Sequence, residues 1–104
     1  MTLYQKGLAR YEGESVDILY SPLKIALARY SALNNERYAD IARNVGISPN
    51  TLRNALYRAK HPYHGPNGAR VSKALAYALA EYLGITLSSF TLDVNERRPL
   101  MRRG

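Results

Sequence analysis

The sequence contains no cysteine among its 104 residues. Disulfide bonds and thiolate metal sites are therefore excluded, a composition typical of proteins in a reducing cytosol. The first residues contain no apolar core of signal-peptide length, and no apolar run elsewhere approaches the length of a membrane span. We therefore expect one soluble, cytoplasmic domain that does not enter the membrane.

Acidic residues are missing from a long central part of the chain. None occurs between Asp40 and Glu81, whereas the whole sequence carries a formal net charge of +7. The basic residues of this part are Arg43, Arg53, Arg58, Lys60, Arg70 and Lys73. A one-sided basic surface is the footprint expected for binding a phosphate backbone, and a generally basic soluble protein is the alternative. The lack of carboxylates also argues against a serine, histidine and carboxylate catalytic set, so we predict no enzyme.

The stretch 38–57 predicts two short helices joined by a tight turn. Ile41 and Val45 lie four residues apart and so share the inner face of a first helix. Gly46 follows where a helix that ends in a left-handed residue favours a side chain without a Cβ. Ile47 is the apolar residue expected to fold back into the turn.

The second helix of this stretch has clear start and stop signals. Ser48 can cap it through its hydroxyl, and Pro49 suits the first helical position, where no amide hydrogen is needed. Leu52 and Leu56 are expected to form its buried face. The helix should end near residues 59–60, because the residue before Pro62 is disfavoured in a helix.

These two helices resemble the helix-turn-helix of the lambda-repressor-like (Xre/Cro) family. The resemblance depends on Ile41, Ala42, Val45, Gly46, Ile47, Leu52 and Leu56. Ala42 is the small residue needed where the two helices approach most closely. Ala55 departs from the family, which more often has a larger aliphatic residue at this position. Leu56 would then make the core contact of that larger residue. A second resemblance, over 78–90, is to the end of the same domain, so the match extends over about 21–92.

The resemblance implies an all-α, lambda-repressor-like helix-turn-helix domain of about five helices that binds double-stranded DNA. We expect an N-terminal arm over 1–20, the DNA-binding domain over 21–92 and a flexible basic tail over 93–104. Within the arm, Val16, Ile18 and Tyr20 alternate like a short strand. The arm is either a dimer contact or a flap over the core.

Helix signals also occur on both sides of the motif. Ser21 and Pro22 mark a helix start, and the apolar residues that follow at helical spacing are Leu23, Ala26, Leu27, Tyr30 and Leu33. Asn35 can cap the next helix, with Glu36 in its first turn. From about Ala69 an amphipathic helix should resume, with one face formed by Val71, Leu75, Leu79, Tyr82 and Leu83. Gly84 should end this helix, and Thr86 should cap a last short one.

The outward side of the second motif helix carries the residues expected to read DNA, namely Asn50, Thr51, Arg53, Asn54 and Tyr57. Arg53 has the bidentate geometry for guanine, and Asn50 or Asn54 the geometry for adenine. Thr51 suits a thymine methyl group and Tyr57 a phosphate or a sugar. A merely solvated polar face is the alternative.

Phosphate contacts are expected around the same helix. Ser48 and the helix N-terminus can hold a phosphate, because the first backbone amides point outward there. Arg43, Arg58 and Lys60 flank the helix and suit the DNA backbone better than base edges.

Two further readings of the composition are weaker. His61 and His64 lack the third and fourth ligands that a zinc site needs, so we predict neither a metal nor a cofactor. The sequence contains nine tyrosines, and exposed aromatic residues among basic ones can stack on unpaired bases. Most of these tyrosines occupy core-facing positions, which leaves Tyr57 and Tyr63 as candidates for nucleic-acid contacts.

The function expected from these patterns is sequence-specific regulation of transcription, by a small phage- or plasmid-type repressor acting as a homodimer on an inverted repeat. The dimer surface would come from the N-terminal arm or from 85–94. One alternative is an excision, partition or architectural DNA-binding factor. Another, of a different class, is an antitoxin-like protein-interaction module.

Overall fold

The computed structural model of the protein describes residues 1–62 and 69–93. Within these ranges the α-helices are α1 Leu3–Arg10, α2 Tyr20–Asn34, α3 Tyr38–Val45, α4 Pro49–Lys60 and α5 Lys73–Leu83. The strands are β1 Ser15–Ile18, β2 Arg70–Ser72 and β3 Thr91–Asp93, and a short 3-10 helix spans Leu87–Ser89. The protein is mostly helical, as expected, but its small sheet was not part of the all-α prediction.

The sheet is antiparallel and has the strand order β2-β1-β3. Val16 of the central strand pairs with Val71, and Asp17 pairs with Leu92 on the other side. The strand-like alternation corresponds to β1 at Val16 and Ile18, which are both buried, whereas Tyr20, the third residue of the pattern, belongs to α2. The strand partners come from far along the chain, so local periodicity did not reveal them.

The helix expected from about Ala69 begins later, at Lys73. Val71 belongs to β2 instead, and Ser72 caps α5 by accepting a hydrogen bond from the Leu75 amide at 3.2 Å. The predicted end is confirmed, because Gly84 adopts a left-handed conformation with φ 71°. Buried residues occur nearly all around α5, not on one face: Ala74, Leu75, Ala76, Ala78, Leu79 and Ala80. This helix is therefore central to the core, not an amphipathic surface helix.

Region 1–20, predicted as an N-terminal arm, contains α1 and β1, and α1 packs along α5. The two helices approach most closely at Gly7, where a Cβ would lie 2.6 Å from the Ala74 carbonyl oxygen. Further along, the rings of Tyr11 and Tyr77 lie 5.5 Å apart. A side chain at Gly7 would push α1 away from the core, so glycine here is required by packing.

The boundary between α2 and α3 differs from the prediction. Asn35 ends α2 in a left-handed conformation with φ 52°, a role asparagine tolerates, and does not cap α3. The cap residue of α3 is Arg37, whose amide donates to Asp40 Oδ2 at 3.1 Å, so Asp40 and not Glu36 occupies the first turn. At its start, α2 begins at Tyr20, one residue before the predicted Ser21.

The C-terminal part forms a single turn of 3-10 helix followed by β3. Thr86 occupies its N-cap position, as predicted, but makes no side-chain capping hydrogen bond. Asp93 lies in β3, whereas the rest of the tail predicted over 93–104 lies outside the described residues, as do Tyr63 and His64. Among the helices formed by residues 1–62 and 69–93, none has the length and apolarity needed to cross a membrane.

Candidate nucleic-acid interface

The predicted tight turn joins α3 to α4. Gly46 ends α3 with φ 103°, and the Ile47 amide donates to the Ala42 carbonyl at 3.0 Å. Ala42 and Ile47 are both buried, so the turn is anchored in the core on both sides. The turn also touches the N-terminus, because a Cβ at Gly46 would lie 2.5 Å from the Thr2 side chain. Glycine is therefore required here by conformation and by space.

The start of α4 follows the sequence prediction. Ser48 Oγ accepts a hydrogen bond from the Thr51 amide at 3.1 Å and lies 2.8 Å from the Thr51 hydroxyl. Pro49 occupies the first helical turn, and the helix ends at Lys60 as predicted. These local contacts fix the N-terminus of α4, where Ser48 remains exposed to solvent.

The buried side of α4 is formed by Leu52, Ala55 and Ala59. The prediction that Leu56 shares this face with Leu52 is confirmed in part, because Leu56 packs against the core but is only half-buried. Ala55 is buried itself, on the side of α4 that faces Tyr4, Val71 and Leu75. A small residue suits this position because other elements approach α4 there. Leu56 instead borders a small cavity of about 140 Å³ between α3 and α4.

We call Asn50, Arg53, Asn54 and Tyr57 the outer face of α4, and all four are exposed. Arg53 Nη1 donates to Asn50 Oδ1 at 3.3 Å, so these two side chains lie side by side. The Tyr57 ring packs against the ring of His61, with centroids 4.8 Å apart. Thr51, predicted for the same face, is exposed but turned sideways toward a neighbouring cleft.

The basic residues divide into two groups that sequence order does not separate. Arg43 pairs with Asp40 at 3.0 Å, Arg70 with the buried Asp17 at 4.0 Å and Lys73 with Glu14 at 3.4 Å. Three of the six cations in the acid-free stretch thus meet carboxylates from outside it. The other three, Arg53, Arg58 and Lys60, all belong to α4. Half of the cations of this stretch therefore belong to one helix.

Arg58 and Lys60, predicted as phosphate contacts, lie on different sides of α4. The Arg58 guanidinium donates from Nη2 to the Arg70 carbonyl oxygen at 2.6 Å, which ties α4 to β2. The Lys60 ammonium lies 5.8 Å from the centroid of the Tyr20 ring. Arg43 is placed on α3, and its carboxylate partner reduces the positive charge it offers.

Two surface depressions complete the description. The first, here called the α4 cleft, has a volume of about 270 Å³ and is lined by Tyr4, Thr51, Asn54, Ala55, Arg58, Val71, Ser72 and Leu75. The second, here called the apolar groove, has a volume of about 250 Å³ and is lined by Pro22, Ile25, Ala26, Arg29, Tyr30, Leu33, Leu83, Ile85 and Ser89. Sequence reasoning missed Tyr4 and Ser72, because only the tertiary packing of α1 and β2 brings them beside α4.

A polar network fixes α3 against α5. The Tyr82 hydroxyl donates to Glu36 Oε1 at 2.8 Å, and Asn44 Nδ2 donates to the Tyr82 oxygen at 2.9 Å. Desolvation, followed by the contacts with Tyr30 and Glu36, raises the pKa of the Tyr82 hydroxyl well above that of a free tyrosine. Tyr82 therefore stays protonated and continues to donate to Glu36 at physiological pH.

Within the two described ranges, no three histidine, aspartate or glutamate side chains come together in a way that would hold a metal ion. Comparison of the chain with protein-family models, curated protein sequences and solved structures finds no match. The arguments about function therefore depend on the geometry of α3, α4 and their surroundings.

Proposed function

We propose that the protein binds double-stranded DNA in a sequence-specific manner through the outer face of α4 and regulates transcription. The observation that carries this proposal is the grouping of Asn50, Arg53 and Asn54 on one exposed helix face. Amides and guanidinium groups are the side-chain groups that pair bidentately with adenine and guanine in the major groove. The outer side of a merely solvated helix has no need for this combination.

The surroundings of α4 suit a helix that enters a groove. Its N-terminus is capped by Ser48 and exposed, so outward-pointing amides and residues of the first turns can meet phosphate and base edges together. Arg58 and Lys60 add positive charge on either side of the outer face. Such charges favour backbone phosphates on both DNA strands, which positions the helix without specifying sequence.

A domain of this size makes few base contacts, so we propose a homodimer on an inverted repeat, as in a small repressor. The apolar groove is the surface that favours this arrangement. Leu33, expected to be buried, is 77% exposed, and Ile25 is 57% exposed beside it. Both line the groove together with Ile85, which belongs to one of the two segments predicted to form the dimer surface. Burying this surface against a second copy removes apolar area from water.

Selection from a random duplex pool, followed by titration of the selected site at two salt concentrations, tests the proposal. An enriched inverted repeat bound far more tightly than bulk DNA is the expected result. Binding without an enriched sequence and with a steep salt dependence would replace it with an architectural role based on phosphate contacts. Absence of binding at low salt would reject the proposal and favour a protein partner.

A further inference from the structure

The cleft beside α4 combines groups from parts of the chain far apart in sequence. Tyr4 comes from α1 and Ser72 from the end of β2, whereas Thr51, Asn54 and Arg58 come from α4. The cleft is open to solvent along the helix, and Ala55, Val71 and Leu75 form its apolar floor. No part of the predicted helix-turn-helix other than α4 contributes to it.

The polar groups of the α4 cleft suit an anion. Its lining contains three hydroxyls, one amide and one guanidinium, and no carboxylate. Hydroxyl, amide and guanidinium groups are all hydrogen-bond donors, and the guanidinium carries a permanent positive charge. Arg58 is fixed here by its hydrogen bond to the Arg70 carbonyl, so the charge stays at the boundary between α4 and β2.

Two of these donors are well placed for an external ligand. Among the residues that the structure describes, neither the Tyr4 hydroxyl nor the Asn54 amide has an intramolecular hydrogen-bonding partner. Tyr4 is half-buried and packs against the core, so its ring has a defined position. The α1 backbone is also fixed, by the Thr2 contact with Gly46 and by the close approach of Gly7 to Ala74. A ligand would therefore meet a preformed arrangement, which lowers the entropic cost of binding.

We propose that the α4 cleft binds a phosphate of the DNA backbone, with Tyr4 of α1 and Ser72 of β2 donating from the wall opposite α4. Thr51 and Asn54 border both this cleft and the outer face of α4, so a DNA strand read by that face passes next to the cleft. This inference rests on the proposed function and extends the DNA contact beyond α3 and α4. In this proposal α1 contacts DNA, a role different from both the dimer contact and the flap over the core that were considered for region 1–20.

The test uses the site selected with the wild-type protein, in which each backbone phosphate in turn is replaced by a neutral methylphosphonate. We expect one phosphate per half-site whose neutralisation weakens wild-type binding but has much less effect on Tyr4→Phe. On the unmodified site, Tyr4→Phe should bind about tenfold more weakly, since it loses a hydrogen bond to a charged group. The control is Tyr11→Phe, which removes a hydroxyl at the other end of α1 and should retain the wild-type affinity and phosphate pattern.

A second pair of variants measures the charge. Arg58→Gln should reduce the magnitude of the slope of log K against log salt by about 0.9 per protomer, whereas Arg10→Gln, at the C-terminal end of α1 and outside both depressions, should not change it. Wild-type affinity and an unchanged phosphate pattern in Tyr4→Phe would overturn the inference while leaving the proposed function intact. Failure of the wild-type protein to bind any duplex would overturn both. Circular dichroism of each variant verifies that the fold is retained.

Discussion

The outer faces of α4 and α2 are both exposed, and their chemistry is opposite. The face of α4 presents amides, a guanidinium and a phenol, whereas α2 presents Ile25 and Leu33 at the apolar groove. Neither face is needed to form the core, because Leu23, Leu27 and Leu52 on the inner sides of these helices are buried. Under the proposed function the two faces make different kinds of contact. A polar, cationic face suits hydrogen bonding to a charged partner, and an apolar groove suits burial against protein.

The largest effect is expected from removing the hydrogen-bonding groups of α4. The double variant Arg53→Ala with Asn54→Ala should lose between about 30-fold and about 20,000-fold of specific affinity, because each bidentate base contact contributes about 1 to 3 kcal/mol. Affinity for the selected site is measured by fluorescence anisotropy, and circular dichroism should show an unchanged fold because both side chains are exposed.

The matched control makes the same two kinds of substitution outside α4 and outside the apolar groove. Arg10→Ala with Asn34→Ala removes one guanidinium and one amide from exposed positions there. We expect this control to retain specific binding. If both double variants bound the site as the wild type does, the assignment of α4 as the recognition helix would be removed.

The next effect concerns the apolar groove. Ile25→Gln with Leu33→Gln should dissociate the homodimer and reduce affinity for the full inverted repeat by about 100-fold, because two linked half-site contacts become independent. Affinity for an isolated half-site should not change. Sedimentation velocity measures the oligomeric state.

The control is Leu8→Gln, which alters an exposed leucine of α1 outside the groove and should leave the dimer intact. A double variant that remains dimeric would exclude the groove as the dimer surface.

The third prediction concerns the turn at Gly46, which joins α3 to α4 and lies outside the apolar groove. Gly46→Ala combines left-handed strain with a clash against Thr2, so it should reduce the free energy of unfolding by about 2 to 4 kcal/mol. Gly13→Ala meets the same kind of strain at φ 79° with no atom within 4 Å, and should cost about 1 to 2 kcal/mol. Urea denaturation compares the two. Equal losses would mean that the Thr2 contact places no constraint on the turn.

The features that sequence predicted well are those decided within a few residues. The turn at Gly46, the Ser48 cap, the end of α4 at Lys60 and the end of α5 at Gly84 depend on backbone conformation and on hydrogen bonds to near neighbours. Helical spacing also placed the outer face of α4 correctly for Asn50, Arg53, Asn54 and Tyr57. These positions follow from the helical period once Leu52 is known to point inward.

The features that sequence missed depend on residues distant along the chain. β2 was read as part of a helix because Val71 has helical spacing to Leu75, and its pairing with Val16 leaves no local signal. In the sequence the basic stretch looks more uniformly charged than it is, because the pairing of Arg70 with the distant Asp17 is not visible there. In the same way, the α4 cleft needs Tyr4, which no pattern near α4 could indicate.

The smallest effect is expected at Tyr82, which links the apolar groove to α3. Tyr82 stacks on Tyr30 of the apolar groove, with ring centroids 5.1 Å apart, and its hydroxyl bonds to Glu36 and to Asn44 of α3. Tyr82→Phe keeps the ring and should cost about 1 kcal/mol of unfolding free energy near neutral pH, because the hydrogen bonds to Glu36 and Asn44 are lost.

The same variant tests the pH dependence of this contact. Since folding raises the pKa of the Tyr82 hydroxyl, the unfolded chain releases its proton first, at a pH of about 10. The stability that Tyr82 contributes is therefore complete below that pH and is lost as the pH rises through the folded pKa. In denaturation experiments the difference between wild type and Tyr82→Phe should narrow above pH 10, whereas a difference independent of pH would show that folding does not raise the pKa of this hydroxyl.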